Sequence, residues 1–243
     1  MPRAGRTLAL ASSVLVLSSL LVATRSSAAT LVIPGTANVF GAGHATPPAP
    51  DGGGGGTLPP LFALPAGTSR ALVFSNVTGI VHCCGGLAGV ENGPDGGPFG
   101  GPPTDVLSYG GISGIYHGQK TLFLVGVFLD DSEPVDPAPS RLFFGTGYVS
   151  DGFAQISPQL RQVFFIGDGL RGTGIGATQA FFVPDGATRL FLGFADSFDF
   201  GHPSSLPGWY DDNLGSLSAT LDVVSATTSV RRCPWGALKL RYR

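Results

Sequence analysis

The chain has 243 residues, of which 38 are Gly, 20 Pro and 12% charged, with a formal net charge of −2. Residues 30–229 carry 6 bases against 16 acids, which argues against a nucleic-acid footprint built from clustered Lys and Arg. Seventeen Phe, with many Val and Leu between the turns, argue against a fibrous chain and for short strands packed into a core.

In chain order, Arg3 and Arg6 form a basic start, residues 8–23 are apolar, and Ser27, Ala28 and Ala29 supply small side chains. This pattern predicts a secretory signal peptide over 1–29, cut before Thr30. The apolar run is shorter than the roughly 20 residues that span a bilayer as a helix. A secreted or periplasmic chain without stable membrane insertion is therefore expected. Its net charge is −5, because the first 29 residues take away three Arg and leave 11 bases against 16 acids.

Residues 30–57 read as one short strand, over 31–40, followed by a Gly/Pro-rich linker. Residues 58–225 read as the compact domain. Strands are predicted over 71–76, 121–129, 141–144, 162–166, 179–183, 189–194 and 217–224, separated by PAG at 65, PDGG at 94, GDG at 167 and PDG at 184. Helical periodicity is nearly absent beyond the signal peptide, so a parallel α/β sheet with crossover helices is not expected. The expected class is all-β, an antiparallel β-sandwich of jelly-roll type, with an immunoglobulin-type strand order as the alternative. Residues 226–243 form a basic tail, expected to be disordered, with Arg231, Arg232, Lys239, Arg241 and Arg243.

Three cysteines, Cys83, Cys84 and Cys233, allow one disulfide and one leftover thiol in an oxidising compartment. The bond joins either the two neighbours or one of them to Cys233. His82 beside them does not make a zinc site, because three contiguous residues cannot converge on a tetrahedral ion. No nucleophile elbow, zinc-protease helix, P-loop or dinucleotide fingerprint is present, so no enzyme is expected. GDGLRGTGIG, from Gly167, reads as a long turn, since it lacks the Lys-Ser/Thr ending of a phosphate loop.

The most informative stretch is strand, acidic loop, strand. Leu217, Ala219, Leu221 and Val223 alternate with Ser218, Thr220 and Asp222, as a half-buried strand does. Before it, Asp196, Asp199, Asp211, Asp212 and Asn213 concentrate oxygen ligands suited to a hard cation such as Ca²⁺. The competing reading is a solvated connection. His202, in the same loop, is a candidate ligand contact or an exposed His without a role.

RLFLGFAD followed by PGWYDDNLGSLSATL resembles the C-terminal strand-loop-strand of the small bacterial galactose-binding lectins of the PA-I type, and is similar to related secreted bacterial β-sandwich domains. LPAGTSRALVFSNVTG, GPDG, TLFLVGVF and QAFFVPDGATRLFLGF follow in the family's order, over about residues 60–223. The resemblance implies a galactose-binding-like jelly roll with a calcium-dependent sugar site. Asp196, Asp212 and Asn213 would supply side-chain ligands, Trp209 a main-chain carbonyl, and the 82–86 loop one further carbonyl. Residues 198–205 are an insertion, and the family's sugar-contacting His and Gln have no counterpart after GPDG. Trp209 or Tyr210 would instead offer a flat apolar face to a pyranose. The expected function is non-catalytic carbohydrate binding. The alternative is a secreted structural or surface-interaction β-sandwich with at most a structural calcium.

Overall fold

A computed structural model describes residues 28–87, 91–98 and 103–226. The expected signal peptide up to residue 27, Cys233 and the basic tail from 227 lie outside the described residues.

Fifteen strands are described. They are β1 (Ala29–Pro34), β2 (Leu61–Ala63), β3 (Arg70–His82), β4 (Glu91–Asn92), β5 (Thr104–Val106), β6 (Ile115–His117), β7 (Val125–Leu129) and β8 (Leu142–Phe144). These are followed by β9 (Gln155–Ile156), β10 (Val163–Phe165), β11 (Leu170–Gly172), β12 (Ile175–Thr178), β13 (Ala180–Phe182), β14 (Arg189–Gly193) and β15 (Leu214–Ser225). The only helical elements among the described residues are three short 3-10 turns. The protein is all-β and mainly antiparallel, as expected. Two pairings are parallel, β13 with β9 and β6 with β8. No helix among the described residues is long and apolar enough to cross a membrane.

The largest sheet runs β1-β15-β3-β13-β9, with β4 also on β3. Its spine is the long pair β3/β15, in register from Arg70↔Ser225 to His82↔Leu214. Leu217, Ala219 and Leu221 are buried and point inward, as the alternation of β15 predicts. β3 runs well past its expected end because it carries a bulge. Thr220 pairs with Asn76 but Leu221 with Phe74, leaving Ser75 as the extra residue. The inward set therefore changes parity, from Leu72 and Phe74 to Val77 and Val81.

The second sheet, β10-β7-β14-β2, is apolar on both faces. Phe128, Phe164, Leu190 and Leu192 pack toward the large sheet, where Phe164 stands 5.5 Å from Phe181 and Phe181 5.6 Å from Phe74. Val125, Val127, Val163, Phe165 and Phe191 face the other way, onto Val106, Ile115 and Phe144 of the small sheet β5-β6-β8. A strand buried on both faces reads as a continuous apolar run, which is why β7, β10 and β14 are recognisable without strict alternation. The third layer goes beyond a two-sheet arrangement.

Three expectations are corrected by the fold. GDGLRGTGIG is not a mere turn: it holds the hairpin β11/β12, whose start is tied by Leu170 and Gly174 N–H donating to the Asp168 carboxylate at 2.8 and 2.6 Å. The Gly/Pro-rich stretch before β2, expected to be flexible, is instead hydrogen-bonded to the body. The N–H groups of Trp209 and Tyr210 donate to the Gly52 and Gly54 carbonyls at 2.9 and 3.1 Å. Fully buried Asn38 donates to the Pro48 and Gly55 carbonyls at 2.7 and 3.1 Å. The glycines are required by close approach: a Cβ on Gly53 would stand 2.3 Å from the Trp209 ring, and Gly53 has φ +65°. The expected N-terminal strand is also shorter, ending at Pro34 and followed by a 3-10 turn at Val39–Gly41.

Candidate functional site

The register His82↔Leu214 brings two loops to one end of the large sheet: the one leaving β3 and the one entering β15. They are joined where Gly85 N–H donates to the Asp212 carbonyl at 2.8 Å. The segment leaving β14 closes over them, and Gly208 N–H donates to the Asp196 carbonyl at 3.1 Å. Between these loops lies a cleft of about 350 Å³, walled by Asp196, Ser197, Phe198, Trp209, Asp212 and the Cys83–Cys84 pair.

Residues 196, 212 and 213, far apart in the acidic stretch, meet here. The Asn213 amide donates to Asp196 Oδ2 at 2.7 Å, and Ser197 N–H donates to Asp196 Oδ1 at 2.8 Å. Asp196 is only 3% exposed and Asn213 1%. Burial, and secondarily the Asp212 charge, push the Asp196 carboxyl up to about 8, against the two hydrogen bonds that favour its charged form. Asp212 is raised as well, by its own partial burial and then by Asp211, while a main-chain bond from Cys84 works the other way. Two buried oxygens at this place, Asn213 Oδ1 and Ser197 Oγ, have no hydrogen-bond partner among the described residues.

This donor set fits a hard cation. No group of three or more His, Cys, Asp and Glu converges among the described residues, and Asp196 and Asp212 are two carboxylates lining the cleft that could serve an ion. Amide, hydroxyl and main-chain oxygens must complete the shell, and Ca²⁺ takes such ligands readily. A cation here would favour the charged form of Asp196 and give the orphaned Asn213 oxygen a partner. It would require the Asn213 amide to turn over, since the amide nitrogen now faces Asp196.

Asp211 takes no part. It sits in the 3-10 turn Tyr210–Asp212 and accepts from Gly56 N–H at 2.8 Å, toward the glycine-rich loop. Tyr210 is a correction. It is fully buried, accepting from Asp196 N–H at 2.9 Å and donating to the Phe194 carbonyl at 3.1 Å, so it cannot present a ring to a ligand. Burial, and then Asp196, hold its hydroxyl well above the ordinary tyrosine range. Trp209 does line the cleft, with its ring 5.2 Å from that of Phe198. Its indole N–H donates to the Asp51 carbonyl at 3.2 Å.

Phe198 and Ser197 are site residues that the sequence did not single out. Phe198 is 60% exposed beside Trp209, and its N–H donates to Asp51 Oδ2 at 2.8 Å. Residues 198–205 pack back on β5, with Leu107 N–H donating to the Ser205 carbonyl at 2.8 Å. His202 is exposed on it and does not line the cleft. Of the two disulfide pairings open from sequence, the structure joins the neighbours Cys83 and Cys84. Comparison with models of protein families, with curated proteins and with solved structures finds no match to this chain, so a functional reading has to rest on the chemistry of this cleft.

Proposed function

We propose that this chain is a secreted, non-catalytic, calcium-dependent carbohydrate-binding protein on a jelly-roll-type sandwich. One observation carries the reading. A buried carboxylate, bonded to an amide whose oxygen is orphaned, shares one cleft with a second carboxylate and an aromatic pair, Trp209 and Phe198. Asp196, Asp212 and Asn213 would hold Ca²⁺, with the Trp209 carbonyl and the loop after β3 as further oxygen sources. The ion would offer open coordination positions to vicinal sugar hydroxyls. Trp209 and Phe198 would take the apolar C–H face of a galactose-like ring.

Calorimetric titration with Ca²⁺ should give saturable heat on the mature protein and none on Asp212→Ala. Equal binding by both, or by neither, rejects the assignment. A second reading, a structural β-sandwich in which an ion only rivets the loops, draws on the near-complete burial of Asp196 and Asn213. A glycan array with calcium and with chelator separates the two. Calcium-dependent, saturable binding supports the lectin reading, and silence across glycans favours the structural one.

A further inference from the structure

The disulfide in one wall of the cleft has no role in the reading above. Cys83 and Cys84 are joined to each other and both line the cleft beside Asp196, Trp209 and Asp212. Cys83 is 2% exposed and packs in the main core, so the pair is anchored at one side. Cys84 stands in the left-handed region at φ +59°, which a residue with a Cβ rarely adopts.

The main chain around this bond is turned onto Asp212. Gly85 N–H donates to the Asp212 carbonyl at 2.8 Å and Gly86 N–H closes back on the Cys83 carbonyl at 3.0 Å, and the Cys84 main chain lies close enough to the Asp212 carboxylate to favour its charged form. A disulfide between neighbours closes a small ring around the peptide bond that joins them. That ring limits the backbone angles open to Cys84. With the bond intact, Cys84 cannot turn independently of Cys83, which is packed in the core.

We propose that the oxidised Cys83–Cys84 pair is a positioning element of the cleft, holding the Cys84 main chain on Asp212 and walling the site with an uncharged sulfur surface beside Trp209. The cleft that binds is then the oxidised one. A dithiol reductant would open it by transferring two electrons and two protons: the S–S bond breaks, two thiols form, and the reductant becomes a disulfide through a mixed-disulfide intermediate. Cys84 would then be free to leave the left-handed region and take its main-chain contact off Asp212. The inference rests on the cation reading of Asp196, Asp212 and Asn213.

The test uses the mature chain in a Cys233→Ser background, so that a thiol count reports on this pair alone. Oxidised protein, protein reduced with dithiothreitol, and reduced protein oxidised again are each titrated with Ca²⁺. The Cys83→Ser/Cys84→Ser variant is titrated beside them. Reduction should weaken Ca²⁺ affinity at least tenfold with the far-ultraviolet circular dichroism unchanged, and re-oxidation should restore it. The serine variant should bind weakly with or without reductant. Equal affinity before and after two thiols appear would overturn the inference and make the disulfide a packing feature, leaving the cation reading intact. Absence of Ca²⁺ uptake by the oxidised protein would overturn the cation reading, and this inference with it. Should the serine variant fail to fold, the reduction and re-oxidation series decides alone.

Discussion

Replacing Asp196 by Asn tests whether this carboxyl is poised for a cation. In the folded, metal-free protein its carboxyl is pushed up to about 8 by burial and by Asp212, whereas an unfolded Asp titrates at about 3.9. Between those values the folded state binds more protons than the unfolded one, so this group makes stability fall as pH rises from about 4 to about 8. At pH 7 the gap of roughly 3 pH units corresponds to about 4 kcal/mol. Asp196→Asn removes that penalty. The new side-chain oxygen can still accept from Ser197 N–H, and its NH₂ can donate to the orphaned Asn213 Oδ1 once that amide turns over. In chelator, the variant should therefore be about 2 to 4 kcal/mol more stable than the parent at pH 7, and within about 0.5 kcal/mol of it at pH 4. Saturating Ca²⁺ should close most of that gap. At a hundredfold excess over the dissociation constant the parent gains about 2.7 kcal/mol, and the variant gains none. Urea denaturation at pH 4, 5.5, 7 and 8.5, each with chelator and with Ca²⁺, reads the difference between the two proteins, which cancels the titration of the other acids. A parent-minus-variant difference that is flat across this pH range in chelator would refute the reasoning.

Three further substitutions probe how the cleft is held. Gly53→Ala places a methyl 2.3 Å from the Trp209 ring at φ +65°, and should cost about 2 to 3 kcal/mol in thermal denaturation. Gly52→Ala, at φ +88° with nothing within 4 Å, should cost only about 1 kcal/mol, and equal losses would show that the ring does not pack on this loop. Tyr210→Phe removes the hydroxyl that accepts from Asp196 N–H, while the Phe194 carbonyl keeps Val39 N–H as a donor at 3.1 Å. One buried donor is then left unsatisfied, at about 1 to 3 kcal/mol, and a urea midpoint unchanged from the parent would dispose of that accounting.

The all-β class was legible wherever a strand carried a period or a sustained apolar run. β15 alternates over Leu217, Ala219 and Leu221, while β7, β10 and, after Arg189, β14 are apolar runs because both of their faces are buried. The second half of β3 was not legible, because the bulge at Ser75 shifts the inward residues from even to odd positions and cancels the alternation across it. Strands of two or three residues, such as β4 and β9, are too short to carry any period. The glycine-rich run misled for another reason. Composition cannot separate a glycine that loosens a chain from one that lets Trp209 and Asp211 approach, and those partners lie about 155 residues further along. At the site, Asp196, Asp212 and Asn213 could be picked out by their oxygen ligands, whereas the neighbours Trp209 and Tyr210 could not be told apart. The 3-10 turn that follows Trp209 sends one ring to the cleft and the other into the core.

That local turn has a wider consequence for how folding and ligand chemistry are linked. Tyr210 fastens the segment after β14 through Asp196 N–H and the Phe194 carbonyl, and the glycine-rich loop fastens Trp209 and Asp211 from the other side. Asp196 is thereby held in the core in a place where its charge is unfavourable without a counterion. Burying an ionised carboxylate costs several kcal/mol unless it is paired, and no Lys or Arg among the described residues forms a salt bridge with Asp196; the four present, on Asp105, Asp151 and Glu133, lie elsewhere. The hydrogen bonds from Asn213 and Ser197 compensate only in part, as the raised carboxyl shows. A proton or a cation must supply the rest. A proton serves up to about pH 8, where the group titrates, and no longer serves above it. A divalent cation, as proposed, would meet the same need above that pH and would also give a partner to the Asn213 oxygen, which a proton on Asp196 leaves without one. The energetic defect of the metal-free cleft and the proposed selectivity for a hard cation are therefore two aspects of one arrangement of side chains.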